Sequence, residues 1–344
     1  MRLNRNWTTA VLRATRDLTP DIREFTLVPT DGATAYPTGS HLQVRVLIEG
    51  RSDLRHYSLI GETPRNGAWR IAVKRASPGR GGSHYMWSLA EGARLEVSHP
   101  DSHFQLSGAS PFTLLVAGGI GITPLIGMAE ALRRRGASYR LLYAGRSRGQ
   151  MAYCAELAAT HADAVQVLAH DEGMRVDLPS EIDRLPRDAE AYVCGPISLL
   201  EAMRAGWQAS GRARDQLIYE TFGSSGRFAT EPFTVRIPRL GFAATVPVNS
   251  TILDVLEAAG VGVLHDCRRG ECGLCQLDVL ELTGTLDHRD VFFSAQQHAE
   301  GRKLCACVSR VGNAGGHGDI TLDPAFRGDG RLMSGPELRK PAPV

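Results

Sequence analysis

Residues 266–275 read Asp-Cys-Arg-Arg-Gly-Glu-Cys-Gly-Leu-Cys, spacing Cys267, Cys272 and Cys275 as C-x4-C-x2-C, and Cys305 and Cys307 follow in a later segment. Three thiolates on one tight loop and a fourth from a later segment can surround two irons. Gly270 and Gly273 let the loop backbone fold around inorganic sulfide. This is the spacing of a plant-type 2Fe-2S centre. Structural zinc takes paired C-x2-C knuckles or Cys/His pairs, and the single C-x2-C here has no matching partner. Gly-rich, charged surroundings also suit inert core thiols poorly. The loop therefore predicts one-electron chemistry, with either Cys305 or Cys307 as the fourth ligand.

The remaining cysteines give no disulfide framework. Seven in all, an odd number gathered mostly in this motif, indicate reduced thiols and metal ligation. A chain of 344 residues has room for two or three cores, and 43% hydrophobic residues fit a globular protein. A net charge of +2 gives no reason to expect nucleic acid or an acidic membrane as partner. No run approaches the length of a membrane span, and the start, MRLNRNWTTA, lacks a signal peptide's apolar stretch. The expectation is a cytoplasmic protein, and a monomer, since nothing suggests an obligate apolar interface.

Three patterns succeed one another along the chain. From residue 7 to about 100, short strands at 24–28, 41–48, 55–60, 69–74 and 94–97 are separated by Gly, Pro, Asp and Asn clusters, as in a small antiparallel barrel. From 112 to 222, apolar strands such as FTLLVA, YRLLYA, VQVLA and AYVCG alternate with helical stretches at 124–135, 152–159 and 197–209. That alternation predicts a parallel sheet covered on both faces. The segment GSSGRFATE at 223–231 reads as a flexible tether. Beyond it, strands at 233–237 and 242–248, a helix at 251–259 and the cysteine loop make a small α+β unit. The tail from 324 is expected to be disordered.

Several turns in the first two parts can hold phosphates. Gly118-Gly119-Ile120-Gly121-Ile122-Thr123-Pro124 lies between a buried strand and a helix, where backbone amides can approach a pyrophosphate at a helix N-terminus. Many Gly-rich turns are only tight turns, but this position favours the binding reading. Cys194-Gly195-Pro196 ends another strand and should face the same crevice, although alone it is better read as a buried cysteine before a Pro-started helix. Arg146, Ser147 and Arg148 lie where a ribose or phosphate edge could sit, or form a solvated basic turn. On the strand Arg55-His56-Tyr57-Ser58, alternation points Arg55 and Tyr57 the same way, one suited to a phosphate and the other to a planar ring. An ordinary cross-strand pair would look the same. Arg80-Gly81-Gly82-Ser83 enters a helix expected at 84–90 and offers amides and a hydroxyl to a second phosphate, or a plain cap. His288-Arg289-Asp290 reads as a surface hydrogen-bonding group; no nucleophile, base and orienting group can be recognised.

The order RxYS, GRGGS, GGIGITP, CGP and C-x4-C-x2-C, kept over about three hundred residues, resembles the phthalate dioxygenase and vanillate demethylase reductases. These are flavin and iron-sulfur partners of Rieske oxygenases within the ferredoxin-NADP reductase superfamily. The resemblance implies an FMN-binding β-barrel at 1–107 and an NAD-binding α/β domain at 108–222. It further implies a linker at 223–231 and a β-grasp ferredoxin domain at 232–323, leaving the tail without a role. It implies FMN contacts at Arg55, His56, Tyr57, Ser58 and Lys74, with Arg80, Gly81, Gly82 and Ser83 near the phosphate. NADH would lie by Gly119, Gly121, Thr123, Arg146, Ser147 and Cys194, with Glu220 between flavin and nicotinamide. Because CVSR resembles that family's fourth-ligand segment, it implies Cys307 beside Cys267, Cys272 and Cys275, with Cys305 as the alternative. The implied function passes electrons from NADH through FMN and the cluster to a transiently docked oxygenase. No side chain acts as acid or base. An FAD-dependent reductase serving another monooxygenase, or a redox-sensing binding protein, are the competing readings.

Overall fold

Apolar residues alternate with polar ones through the first hundred residues, and that pattern builds an antiparallel sheet with one face inward. The computed structural model describes residues 6–76, 81–222, 228, 230–312 and 316–324. The chain divides into two units, one ending at Glu220 and the other starting at Thr221. In the first, β1 (Trp7–Thr19), β2 (Ile22–Pro29), β3 (His41–Ile48), β4 (Arg51–Ser58), β5 (Trp69–Lys74) and β6 (Arg94–Ser98) pair in the order β4-β3-β6-β1-β2-β5. A bridge between Leu59 and Ile71 joins the two edges. The sheet thus curls into the expected barrel around Leu12, Phe25, Leu42, Trp69 and Val97, with Met86 of helix α1 (Gly82–Ser88) packed into the same core. That helix begins two residues before the expected 84.

Strand β1 escapes a reading by alternation. Register shifts at Leu12/Ala14 and Asp17/Thr19 interrupt its pairing with β2, and each irregularity moves the following side chains to the other face.

Continuous apolar runs build the second sheet, as buried parallel strands require. It comprises β7 (Phe112–Gly118), β8 (Ser138–Gly145), β9 (Val165–Ala169), β10 (Glu190–Cys194) and β11 (Leu217–Glu220), all parallel, in the order β11-β10-β7-β8-β9. Helices α2 (Ile122–Arg134), α3 (Cys154–His161), α4 (Leu178–Asp183) and α5 (Ile197–Ala209) connect them. Helix α4 was not expected; Asp177 starts it by accepting from the Ser180 amide. The strand order reverses between β7 and β10, and such a switch point opens a crevice beyond the strand ends.

Buried contacts hold barrel and sheet together. Gly127 of α2 packs on Gly61, where a Cβ would come within 2.4 Å of the Gly61 carbonyl oxygen. Glu24, only 6% exposed, accepts from the Tyr153 hydroxyl at 2.8 Å and pairs with Arg70 and Arg16. Arg134 pairs with Glu62 on the surface.

The second unit has a mixed sheet in the order β13-β12-β18-β14-β16. Its strands are β12 (Phe233–Ile237), β13 (Phe242–Val246), β14 (Gln276–Thr283), β16 (Lys303–Cys305) and β18 (Gly318–Asp323), and β12 runs parallel to β18. Helix α6 (Ile252–Ala258), started by a Thr251/Asp254 capping box, lays Ile252, Leu253 and Leu256 into the core. A small pair, β15 (Thr285–Asp287) with β17 (Arg310–Gly312), and helix α7 (Ala295–Glu300) complete the β-grasp unit. Most of the expected tether, and the tail from 325, lie outside the described residues. Pro324 itself is buried, and its carbonyl accepts from Arg239 at 2.6 Å. Among the described residues no helix is long and apolar enough to cross a membrane.

Candidate functional site

At the switch point two turns meet backbone to backbone. A Cβ on Gly121 would come 2.2 Å from the Cys194 carbonyl oxygen, one on Gly118 would come 2.5 Å from Pro196, and one on Gly195 would reach the Gly118 backbone at 2.9 Å. Gly119 has open space around its Cα but a φ of +54°, so there it is the backbone conformation that favours glycine. Thr123, buried in the first turn of α2, donates from Oγ1 to the Ile120 carbonyl at 3.0 Å and holds the turn closed. The GGIGITP and CGP motifs thus form one structure at the start of α2, and a helix N-terminus can hold a pyrophosphate.

Sheet register extends this site sideways. Cys194 lies between Ala117 on β7 and Glu220 on β11, fully buried. Glu220 is 2% exposed and stands 3.5 Å from the hydroxyl of Ser58, the last residue of β4. The ends of β4, β11, β10 and β7 therefore meet in one continuous path through Ser58, Glu220, Cys194 and Gly121.

Farther along β4, the Arg55 side chain occupies the space a Cβ on Gly82 would need, with Nε 2.4 Å from that position, and Arg55 pairs with Asp53 at 2.5 Å. Tyr57 is half-buried against the barrel core, and burial pushes its phenol far up, more than Arg55 lowers it. The ring is therefore a neutral hydrogen-bond donor. His56 lies 5.1 Å from the His41 ring. Gly81 sits at φ +78° before α1, which has no side-chain cap, and Ser83 Oγ accepts from the Ala76 amide at 3.1 Å. Lys74 is placed apart: its ammonium pairs with Asp21 at 3.3 Å. Arg80 lies outside the described residues. Arg146 and Ser147 follow β8, the neighbour of β7, with Arg146 exposed. Arg148 is tied to Glu172 by two hydrogen bonds, at 2.6 and 2.8 Å.

In the other unit the cysteine loop closes on the segment after β16. Cys267, Cys275, Cys305 and Cys307 are buried and Cys272 is exposed. Cys307 hydrogen-bonds both Cys267 and Cys275, whereas Cys305 hydrogen-bonds Cys275 and lies near Cys267. Cys305 and Cys307 together pull the Cys275 thiol down to about 4 against the effect of burial, and Cys272 and Cys307 do the same for Cys267. The amides of Arg269 and Cys272 point at the Cys267 sulfur, each 3.4 Å away. Sulfurs this close, supplied with amide donors, fit a metal-sulfur cluster.

Glycine again sets the loop. Gly270 and Gly273 have φ of +75° and +69°; a Cβ on the first would strike Val308 and Asp290, and one on the second the Phe292 ring. Ionic anchors that the sequence did not reveal hold the rest. Arg268 pairs with Asp254 and Glu257 of α6, and Glu271 pairs with buried Arg269 while accepting from the Thr221 amide. Their only sequence signal is an unusual density of charge inside a cysteine motif. Leu274 and Phe292, 51 and 43% exposed, give this end of the unit an apolar surface, with the Phe292 ring lying against Gly273.

Comparison with known proteins places family matches on the barrel and on the cysteine unit. Residues 9–106 match the oxidoreductase FAD-binding domain family, and residues 236–312 the 2Fe-2S iron-sulfur cluster binding domain family. The phenoxybenzoate dioxygenase subunit beta of Ectopseudomonas oleovorans is 38% identical over 296 residues, covering 85% of this chain and 89% of that protein. Phthalate dioxygenase reductase of Burkholderia cepacia is 36% identical over 314 residues, covering 88% and 93%. A solved phthalate dioxygenase reductase, described as a modular structure for electron transfer from pyridine nucleotides to 2Fe-2S, matches with a TM-score of 0.73 and 31% identity over 92% of this chain and 98% of its own. An intact type IV self-sufficient cytochrome P-450 monooxygenase matches at TM-score 0.64 and 34% identity over 92% of this chain, which spans only 41% of that longer one.

The interlocked turns give a graded expectation. Gly119→Ala should cost about 1–2 kcal/mol, the penalty of a left-handed L-residue. Gly121→Ala should cost more, because backbone must move, and should also abolish tight nucleotide binding. Urea denaturation and nucleotide titration of both variants check the order; equal stabilities would contradict the close approach.

Proposed function

The chain belongs to the phthalate dioxygenase reductase family, and we propose that it is the reductase component of a Rieske-type oxygenase, carrying electrons from NADH through FMN and a 2Fe-2S cluster to that oxygenase. It is a flavin and iron-sulfur oxidoreductase of an oxygenase system. The observation that carries the reading is the convergence at Glu220, where the barrel strand that ends in Ser58 meets the nucleotide-side turns at Cys194 and Gly121. Two cofactors held on these elements would face each other there.

In this reading residues 1–107 form the FMN domain, 108–222 the NADH domain, 223–231 the linker and 232–323 the ferredoxin domain. Arg55 and the amides around Gly81 to Ser83 hold the FMN phosphate, Tyr57 covers the ring, and Ser58 hydrogen-bonds its edge. Gly119, Gly121 and Thr123 hold the NADH pyrophosphate, and Cys194 and Glu220 line the nicotinamide. Lys74, already paired with Asp21, contributes positive potential at most. Cys267, Cys272, Cys275 and Cys307 ligate the cluster, since Cys307 is the sulfur that engages two loop cysteines at once. A bound flavin supplies the exchange between a hydride and single electrons, and the cluster stores one. The residues themselves bind, align and exclude water. The exposed Cys272 end, with Leu274 and Phe292, suits weak docking on an oxygenase that must be released after each transfer. NADH is favoured over NADPH because Glu172 already engages Arg148, which leaves Arg146 alone to meet a 2'-phosphate.

Anaerobic titration of the purified protein with NADH, followed by visible absorption and low-temperature EPR, tests the whole reading. Flavin and cluster should bleach together, with a rhombic reduced-cluster signal and FMN as the released flavin. A protein loaded with flavin and iron that NADH cannot reduce would overturn it, and released FAD would favour the other reductase class. Cys307→Ser should lose the cluster's iron and EPR signal while Cys305→Ser keeps both; the reverse result would make Cys305 the ligand. Glu172→Gln should release Arg148 and raise kcat/KM for NADPH several-fold with little change for NADH.

A further inference from the structure

His288-Arg289-Asp290 reads as a surface group in the sequence, and the structure buries its side chains. Side-chain exposure is 8% for His288, 8% for Arg289 and zero for Asp290. The reason is local: the segment from β15 to α7 packs against the cysteine loop, with the Val291 amide donating to the Gly270 carbonyl at 2.9 Å. Arg289 is neutralised by Asp287 at 2.7 Å. His298 on α7 comes over the same spot, its ring stacked on that of His288 with centroids 4.3 Å apart.

The hydrogen bonds around Asp290 are incomplete. Its Oδ2 accepts from the Phe293 amide and faces His298 Nε2, each at 3.0 Å. Its Oδ1 meets only the His288 Nδ1, at a long 3.5 Å, and the other His288 ring nitrogen, Nε2, is buried without a partner. A buried polar group left without a partner is costly. A hydrogen-bonded Asp-His pair explains His298 but gives His288 only a long contact through Nδ1 and nothing at Nε2.

We propose that His288, Asp290 and His298 form a second metal site, distinct from the cysteine loop, which binds a divalent cation of the zinc class. One ligand atom from each residue lies within 4.8 Å of the other two. Tetrahedral zinc, with bonds of about 2.0–2.1 Å, holds its ligands about 3.3 Å apart, so small side-chain rotations close the set. Two imidazoles and one carboxylate exclude magnesium and calcium, which demand oxygen, and suit zinc with water in the fourth position. His298, 18% exposed, lies on the solvent side where that water would enter. Coordination would use a His288 nitrogen and Asp290 Oδ1, which share only that long contact. It would also pin α7 and its preceding loop against the backbone of the cysteine loop at Gly270.

The test is zinc binding to the holoprotein, with flavin and cluster loaded so that the cysteines cannot compete. The protein is prepared without a histidine tag, titrated calorimetrically with Zn2+ and assayed for metal after gel filtration. One zinc per chain should be retained beyond the cluster iron. His298→Gln and His288→Gln should each weaken binding about tenfold or more, while Gln296→Ala on the same helix leaves it unchanged. Zinc should raise the melting temperature of the parent protein and not of His298→Gln. Absence of retained zinc, or undiminished binding by His298→Gln, would overturn the proposal. His298→Gln decides alone if His288→Gln does not fold. None of these readouts depends on NADH or on an acceptor.

Discussion

The turns after β7 and β10 lie too close for any side chain between them, and the first unit is organised around that contact. Without Cβ atoms at Gly118, Gly121 and Gly195, the two backbones approach until the carbonyl of Cys194 fills the volume beside Gly121. That approach brings β7 and β10 together at the point where the strand order reverses, so the crevice and its amides arise from one steric fact. Because β10 also pairs with β11, the same contact sets where Glu220 stands, and through Glu220 where the end of β4 must be.

A crevice between barrel and sheet is useful only if the two keep their relation. The buried carboxylate of Glu24 performs that role. Taking it from water is costly unless it is bonded, and its partners come from both sides: Arg16 and Arg70 from the barrel, Tyr153 from the segment before α3. Tyr153 itself takes φ +64°, a strained conformation for a tyrosine, which the packing around Glu24 must maintain. Across the contact, the paired glycines Gly61 and Gly127 give close backbone approach.

The parts of this architecture that repeat a local pattern could be read directly from the chain. Continuous apolar strands, the glycines of the GGIGITP turn and the spacing of Cys267, Cys272 and Cys275 each carry their own cause. What could not be read was whatever depends on a partner distant in sequence. Strand β1 hides behind its bulges, Glu24 looks like any surface carboxylate, and Lys74 looks free until Asp21 is seen beside it. The choice between Cys305 and Cys307 is of the same kind. Two residues apart, they are equivalent in sequence; in the fold Cys307 hydrogen-bonds two loop cysteines and Cys305 one, with Cys267 also near.

The burial of His288 and Asp290 follows from the same loop geometry that serves the cysteines. Gly270 takes a positive φ with no Cβ, and this lets the Asp290 backbone press against the loop. The carboxylate and the His288 ring are carried inward with it. Short-range sequence gives no hint of this, because a His-Arg-Asp tripeptide is polar throughout and looks fit for water. A protein that gained only packing from this segment could fill the space with apolar side chains at lower cost. Hydrogen bonds within the group satisfy His298 and one oxygen of Asp290, while His288 makes only a 3.5 Å contact with the other oxygen and leaves Nε2 unpartnered. The chemistry of the remaining atoms, a nitrogen lone pair and a carboxylate oxygen 3.5 Å apart, is that of a cation's ligands.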